Sequence, residues 1–226
     1  MRLYVVGTDT GIGKTVFSLI LTRVCFKKGL RPFYLKPFQT GVSSPCDPES
    51  DARFIYSLVP ELKGKDPKES TVYCFKNPKA PYFSAKDEGE RIDLEKVKRM
   101  IEEKEKSFSP VIIEGSGGLL VPVTEDLLII DTIKLFDAKP ILVAKAGLGT
   151  INHTLLSIEA LKKRRIELLA LVLVNLDNTP SQMIQENIEA IKRFSGMDVL
   201  GVVRKISDFS KINLSEFLWL EGVFFK

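Results

Sequence analysis

The chain has 226 residues, 44% hydrophobic and 27% charged, with a net charge of +4 at neutral pH. Those proportions belong to a folded protein with enough apolar material for a sizeable core, and they exclude collagen-like and disordered classes. The positive charge is small and dispersed, as in Lys27-Lys28 and Lys162 to Arg165, so it asks for neither a nucleic acid nor a membrane surface.

The first apolar run, Leu3 to Val6, reads as a strand and leads into Gly7-Thr8-Asp9-Thr10-Gly11-Ile12-Gly13-Lys14-Thr15. A helix follows from about Lys14 to Lys28 and stops at Gly29. Strand, glycine-rich loop and helix N-terminus together make a phosphate cradle: loop N–H groups turn inward, Lys14 reaches the outer phosphates, and the Thr15 hydroxyl is placed for Mg²⁺. One feature departs from the usual G-x-x-x-x-G-K-[ST] pattern, because the residue five before Gly13 is Thr8. Arg31 to Leu35 reads as a second strand, ended by Lys36-Pro37. The turn-rich residues 38–50 then form a long loop at the carboxyl end of a strand, where doubly wound sheets keep their ligands. A short helix is expected from about Pro48 to Leu58, with Ser50 and Asp51 in its first turn.

Residues 59–92 read as an irregular insertion shaping the site, with a strand at Thr71 to Phe75 and with Ala80-Pro81 interrupting any helix before Ser84. Asp93 to Lys106 reads as a helix capped by Asp93. Val111 to Ile113 forms a buried strand ending in Glu114, followed by Gly115-Ser116-Gly117-Gly118. Beyond it come a helix over Asp126 to Phe136, a strand over Ile141 to Ala144, a third glycine loop at Gly147 to Gly149, and a helix from Thr150 to Arg165. Leu168 to Val174 is a strand ending at Asn175, Ser181 to Phe194 a helix, Val199 to Val203 the last strand, and Leu214 to Leu220 closes the chain. Strands and helices alternate at roughly 30-residue spacing. This predicts a single P-loop α/β domain over 1–226, its mostly parallel sheet covered by helices on both faces.

The three cysteines, Cys25, Cys46 and Cys74, are far apart and odd in number, so no disulfide framework is implied. A single histidine, His153, rules out a Cys/His zinc cluster and leaves the chemistry to lysines, carboxylates, Mg²⁺ and backbone donors. No apolar run approaches the ~18 residues of a membrane span. The first strand is not a signal peptide, and a cytoplasmic enzyme is the expectation.

Several residues carry candidate chemistry. Glu114, at a strand's carboxyl end, suits a magnesium ligand in a P-loop enzyme. Asp51 is a second candidate ligand, although acids are common at helix starts in any case. Lys36 leaves the second strand beside a long loop, where it can project toward the phosphates or sit as a surface cation. The Asn175 amide can read a base edge or serve as a turn residue. Gly147 to Asn152 opens a helix, either an anion-binding terminus or a tight turn with a Thr cap.

Taken as a set, these motifs resemble the dethiobiotin synthetase family. The matching segments are 7–15, Lys-Pro-x-x-Thr-Gly at 36–41, Ser-Asp-Ala at 50–52, Glu-Gly-Ser-Gly-Gly at 114–118 with Pro122, Leu-Gly-Thr-Ile-Asn-His-x-Leu-Leu at 148–156, and Asn175. The irregular loop spacing is the family's own form. The resemblance implies that 7,8-diaminononanoate, CO₂ and ATP give dethiobiotin, ADP and phosphate. It implies nucleotide contacts from Gly11, Ile12, Gly13, Lys14, Thr15, Val16, Asp51, Glu114, Gly115, Ser116, Gly117 and Asn175. Mg²⁺ would lie on Thr15, Asp51 and Glu114, with Lys14 and Lys36 as the catalytic cations and Thr40 at the diamine and carbamate end. It also implies a homodimer, in which Gly149, Thr150 and Asn152 bind the tail carboxylate of the partner subunit's substrate. Two departures stand out. Gly11 replaces a Glu common in the family, and Arg204 replaces a Pro, making Arg204 a candidate contact to base or ribose. The competing readings are a partition or cell-division ATPase and a related cofactor amide ligase.

Overall fold

The computed structural model describes residues 1–223. Its strands are β1 (Arg2–Gly7), β2 (Phe33–Thr40), β3 (Thr71–Phe75), β4 (Val111–Glu114), β5 (Lys139–Lys145), β6 (Ala170–Val174) and β7 (Val199–Val203). They form one sheet in the order β3-β2-β4-β1-β5-β6-β7, and every pairing is parallel. The helices are α1 (Lys14–Lys27), α2 (Asp51–Leu58), α3 (Pro81–Asp87), α4 (Leu94–Glu105), α5 (Ile129–Leu135), α6 (Thr150–Lys163) and α7 (Ser181–Ser195).

Both faces of the sheet are covered, which is why its central strands read as continuous apolar runs rather than alternating ones. Leu3, Val5, Ile112, Val143 and Val172 pack with Phe17, Ile20 and Leu21 of α1 and Ile55 of α2. Their neighbours Tyr4, Val6, Ile113, Leu142 and Leu171 pack on the opposite side with Val97, Ile133, Ile158 and Ile191 of α4 to α7. Each fully buried Val, Leu or Ile contributes about 1.5–3 kcal/mol. The chain runs from β1 to one side of the sheet and later crosses from β4 to β5 on the other. The resulting crevice lies at the carboxyl ends of β1 and β4, the switch point where such sheets bind ligands.

The alternating architecture is as expected, but several boundaries differ. Strand β2 does not stop at Lys36-Pro37; it continues to Thr40, so the loop before α2 starts at Gly41 rather than at residue 38. Pairing with β4 ends at Leu35, leaving only the β3 side paired beyond it, and a proline without an N–H is tolerated there. Helix α2 starts at Asp51, with Ser50 outside it as the cap accepting from the Arg53 N–H at 3.4 Å. Residues 59–92 are more ordered than an irregular insertion: they hold two 3-10 turns, the edge strand β3, and α3. Pro81 opens α3 rather than interrupting it, since the first turn needs no N–H from that position. Helix α5 begins three residues later than Asp126, at Ile129, where the Asp131 carboxylate accepts from the Leu128 N–H at 3.0 Å. The C-terminal 3-10 segment Leu214–Val223 buries Phe217 and Leu220 against α1 and lays Trp219 on Gly201. A Cβ on Gly201 would lie 2.4 Å from that ring, so this close approach requires glycine.

Candidate active site

The loop between β1 and α1 closes on Gly13, which caps α1 at φ 99°. A Cβ there would also meet the Val174 side chain at 2.7 Å, so conformation and space both demand glycine. The Lys14 side chain is buried and folds back over the loop, donating to the Asp9 carbonyl at 2.7 Å. Burial, and secondarily the nearby Lys36 charge, lower its ammonium to a pKa of about 8. That leaves it poised to gain from an approaching phosphate.

Three elements bring acids and a cation to the next residue. Thr15, in the first turn of α1, lies with Oγ1 2.8 Å from Asp51 Oδ1 and 2.7 Å from Glu114 Oε1. Its single proton serves one of these contacts at a time. Lys36 Nζ lies 2.7 Å from Asp51 Oδ2, 2.9 Å from Glu114 Oε1 and 3.3 Å from the Gly115 carbonyl oxygen. Tyr34, two residues earlier on the same strand face, donates to Glu114 Oε2 at 3.0 Å, and Glu114 is fully buried. Burial alone would lower the Lys36 ammonium, but the Asp51 and Glu114 charges outweigh it and hold the group above its usual value. Burial likewise works against the Asp51 anion, yet Lys36 and the Thr15 hydroxyl keep its carboxyl below the ordinary range.

These side chains line a cavity of about 430 Å³. Of the residues expected at the site, it brings together Gly11, Gly13, Lys14, Thr15, Val16, Lys36, Thr40, Asp51, Glu114, Ser116 and Gly117. Ile12 is buried beneath the loop, Gly115 contributes its carbonyl, and the Ser116 hydroxyl donates to the Phe38 carbonyl, tying the β4 loop to β2.

Asn175, Arg204, Gly149, Thr150 and Asn152 do not line this cavity. Asn175 is engaged locally: its amide donates to the Thr179 carbonyl at 3.0 Å and accepts from the Thr179 N–H at 2.9 Å, the turn role rather than a free base-reading edge. Arg204 follows β7 and is exposed. Helix α6 is capped by Gly149 rather than by a threonine: Thr150 is buried inside the first turn beside Thr154, and Asn152 is exposed. Leu120, His153 and Leu156 line a separate cavity of about 340 Å³ between the β4 loop and α6.

Residues not anticipated from the sequence are Tyr34, Gln39, Glu49 and Leu176. Strand alternation from Lys36 back to Tyr34 predicts the first. Gln39 is hidden from that rule because the alternation slips at Pro37. Leu35 and Phe38, three apart, share one core, so Lys36 and Gln39 both face the cavity.

The donor set suits a magnesium ion. Among the described residues no group of three or more His, Cys, Asp or Glu side chains could hold a metal. Magnesium characteristically takes one or two carboxylates and completes its shell with water and substrate phosphates. A hydroxyl facing two carboxylates with one proton between them leaves oxygen pairs that a divalent cation would satisfy.

Among the described residues, no helix is long and apolar enough to cross a membrane. Cys25 is buried and free, Cys46 is exposed and free, and Cys74 is free and half-buried.

A family model described as an AAA domain matches residues 1–213. The ATP-dependent dethiobiotin synthetase BioD of Methanococcus vannielii is 34% identical over 218 residues, covering 94% of this chain and 99% of its own length. The protein of the same name from a Hydrogenobaculum species is 37% identical over 227 residues, 97% of each. In fold alone, the solved structure of pNOB8 ParA bound to nonspecific DNA is similar at 12% identity, with a TM-score of 0.61 over 99% of this chain and 96% of that one. Relatives aligned nearly end to end at this identity, and matching the family whose motifs line the cavity, mean that the chain belongs to the ATP-dependent dethiobiotin synthetase family.

Proposed function

We propose that this chain closes a cyclic urea on 7,8-diaminononanoate, using CO₂ and ATP. One substrate amine adds to CO₂ and loses a proton, giving a carbamate. A carbamate oxygen attacks the γ-phosphorus of ATP and ADP leaves. The second amine then attacks the carbamate carbon, the C–O bond to phosphate breaks, and dethiobiotin and phosphate are released.

Two anions, carbamate and triphosphate, must meet in this reaction, so neutralising them is the central task. Catalysis of this kind is mostly positioning and electrostatic stabilisation. Lys14 and Lys36 are the cations at hand, both lining the cavity that holds the Thr15–Asp51–Glu114 cluster. The reading is carried by one observation: a buried ammonium, Lys36, grips both acids beside the phosphate loop, with Thr40 on the same cavity wall. Lys14 takes the outer phosphates. Lys36 faces the reacting carbamate, and Thr40 orients the amine end. A bound Mg²⁺ supplies further neutralisation of the phosphates, and Thr15, Asp51 and Glu114 are the residues that would hold it. The loop residues Gly11 to Val16 with Gly115 to Gly117 cradle the nucleotide. The Asn175 turn and Arg204 border its base end.

The diamine tail is taken up by a second copy of the chain. In this arrangement the N-terminus of α6, which has no side-chain cap, receives the tail carboxylate of the partner subunit's substrate through Gly149, Thr150 and Asn152. Support comes from the absence of a side-chain cap on that helix and from the exposed apolar residues Leu120, Leu148 and Leu156 beside it. The enzyme works in the cytoplasm on small molecules rather than on DNA or a membrane.

The test is incubation of the protein with ATP, Mg²⁺, bicarbonate and diaminononanoate, with dethiobiotin read by mass. Product and diamine-dependent ADP release are expected. ATP turnover that follows DNA or lipid instead of the diamine would overturn the reading.

A further inference from the structure

Gln39 sits at the end of β2 with 4% of its surface exposed, a polar side chain in the cavity wall. Both ends of its amide are engaged. Oε1 accepts from the Asp51 N–H at 3.1 Å, and Nε2 donates to the Thr40 carbonyl at 3.1 Å. The Asp51 N–H is the first of α2, one of the amides for which a helix has no internal partner. Ser50 takes the Arg53 N–H, so the start of α2 is held by one local cap and one residue from a different element.

We propose that Gln39 is a positioning residue for Asp51, fixing the start of α2 so that the Asp51 carboxylate meets Thr15 and the metal of the nucleotide complex. Strand β2 grips Asp51 at two points. Lys36 holds its carboxylate at 2.7 Å, and Gln39 holds its backbone. The slip at Pro37 makes this double grip available, since strict alternation would turn residues three apart to opposite faces. The two points have different fates during turnover. When the substrate's carbamate draws on the Lys36 charge, the carboxylate contact weakens, and the Gln39 contact still ties α2 to the strand. Through Nε2 the same side chain holds the carbonyl of Thr40, so metal side and substrate side share one strut. The rest of α2 is anchored separately by buried Ala52, Ile55 and Tyr56, so loss of Gln39 loosens the start of the helix and leaves its body docked.

This inference rests on the reading of Asp51 as a ligand in the proposed reaction. Groups that orient a metal ligand typically change metal affinity 10–100-fold when removed. The experiment measures Mn²⁺ binding by electron paramagnetic resonance, with a non-hydrolysable ATP analogue present, in the full-length chain. Gln39→Met keeps length and apolar contact but removes both hydrogen bonds, and about 10-fold weaker Mn²⁺ binding is expected. In an Asp51→Asn background the same change is expected to have no further effect, because Gln39 acts through Asp51. Should Gln39→Met fail to fold, Gln39→Ala carries the same comparison. A merely structural role would lower the melting temperature while leaving Mn²⁺ affinity unmoved. Wild-type Mn²⁺ binding in Gln39→Met, or an equal loss with and without Asp51, overturns the proposal. Dethiobiotin formation by the wild-type chain is scored separately, so a failed reaction and a failed role for Gln39 are told apart.

Discussion

Replacing Lys36 with methionine keeps most of the side-chain volume and removes the ammonium that touches both Asp51 and Glu114. Glu114 is fully buried, and its remaining partners are the Tyr34 and Thr15 hydroxyls. Removing one partner of a buried ion pair leaves an uncompensated charge and costs about 3–5 kcal/mol. In a chain of this size, each kcal/mol moves the melting temperature by about 2–4 °C, so a fall of roughly 6–20 °C is expected. Calorimetric unfolding without nucleotide measures it. Two controls locate the cause. Lys36→Met with Glu114→Gln is expected to recover at least half of the loss, because the second change removes the stranded charge. Mg²⁺ with an ATP analogue is expected to raise the melting temperature of Lys36→Met more than that of the wild type, because a divalent cation supplies the missing charge. Product formation is lost while the ATP analogue still binds. A Lys36→Met protein melting within about 2 °C of wild type, or one that Glu114→Gln fails to rescue, would refute the assignment of Lys36 as the counter-charge of this cluster.

Lys14→Ala removes a charged partner of the outer phosphates, worth about 1.5–3 kcal/mol, so calorimetry should show ATP binding roughly 10–100-fold weaker; unchanged affinity would remove Lys14 from the nucleotide site. Asn152→Ala is expected to raise KM for the diamine by about 5-fold and leave KM for ATP unchanged, one lost hydrogen bond being worth about 1 kcal/mol; a rise in the ATP value alone would exclude the tail-carboxylate role. The Arg2–Glu105 pair, at 2.6 Å, links β1 to α4 at the protein edge. Its hydrogen bond from Arg2 holds the Glu105 carboxyl below the usual range. A carboxyl lowered by folding stabilises the fold above its unfolded value of about 4.3 and loses that effect as pH falls through the lowered folded value. Solvent screening limits the gain to about 1 kcal/mol or less, so Glu105→Gln should melt a few degrees low at pH 7, and the gap should shrink as pH falls below about 4. A gap that widens on acidification would refute this.

Most of the architecture was legible because the sheet is buried on both faces: runs such as Val111 to Ile113 and Leu171 to Val174 have no other easy explanation. The phosphate loop was legible because glycine at 13 and the Lys-Thr pair that follows it serve backbone geometry and charge directly. What the sequence hid depends on partners far away along the chain. Pro37 looks like a strand stop until the pairing shows that β4 no longer accompanies β2 there. Glutamine at 39 looks like a loop residue until the slip at Pro37 turns it toward Asp51. Pro81 reads as a breaker, and α3 shows that it opens the helix instead. Asn175 carries a side chain equally suited to a base edge or a turn, and Thr179, four residues on, takes both its polar atoms.

In the proposed reaction a carbamate oxygen becomes part of the phosphate released from ATP. This transfer is tested most directly with ¹⁸O-labelled CO₂, supplied with ATP, Mg²⁺ and diaminononanoate and sampled before the label exchanges with water. One ¹⁸O atom is expected in the phosphate, transferred in step with dethiobiotin formed. Dethiobiotin accompanied by unlabelled phosphate would contradict it, because the carbamate would then have closed the ring without being phosphorylated.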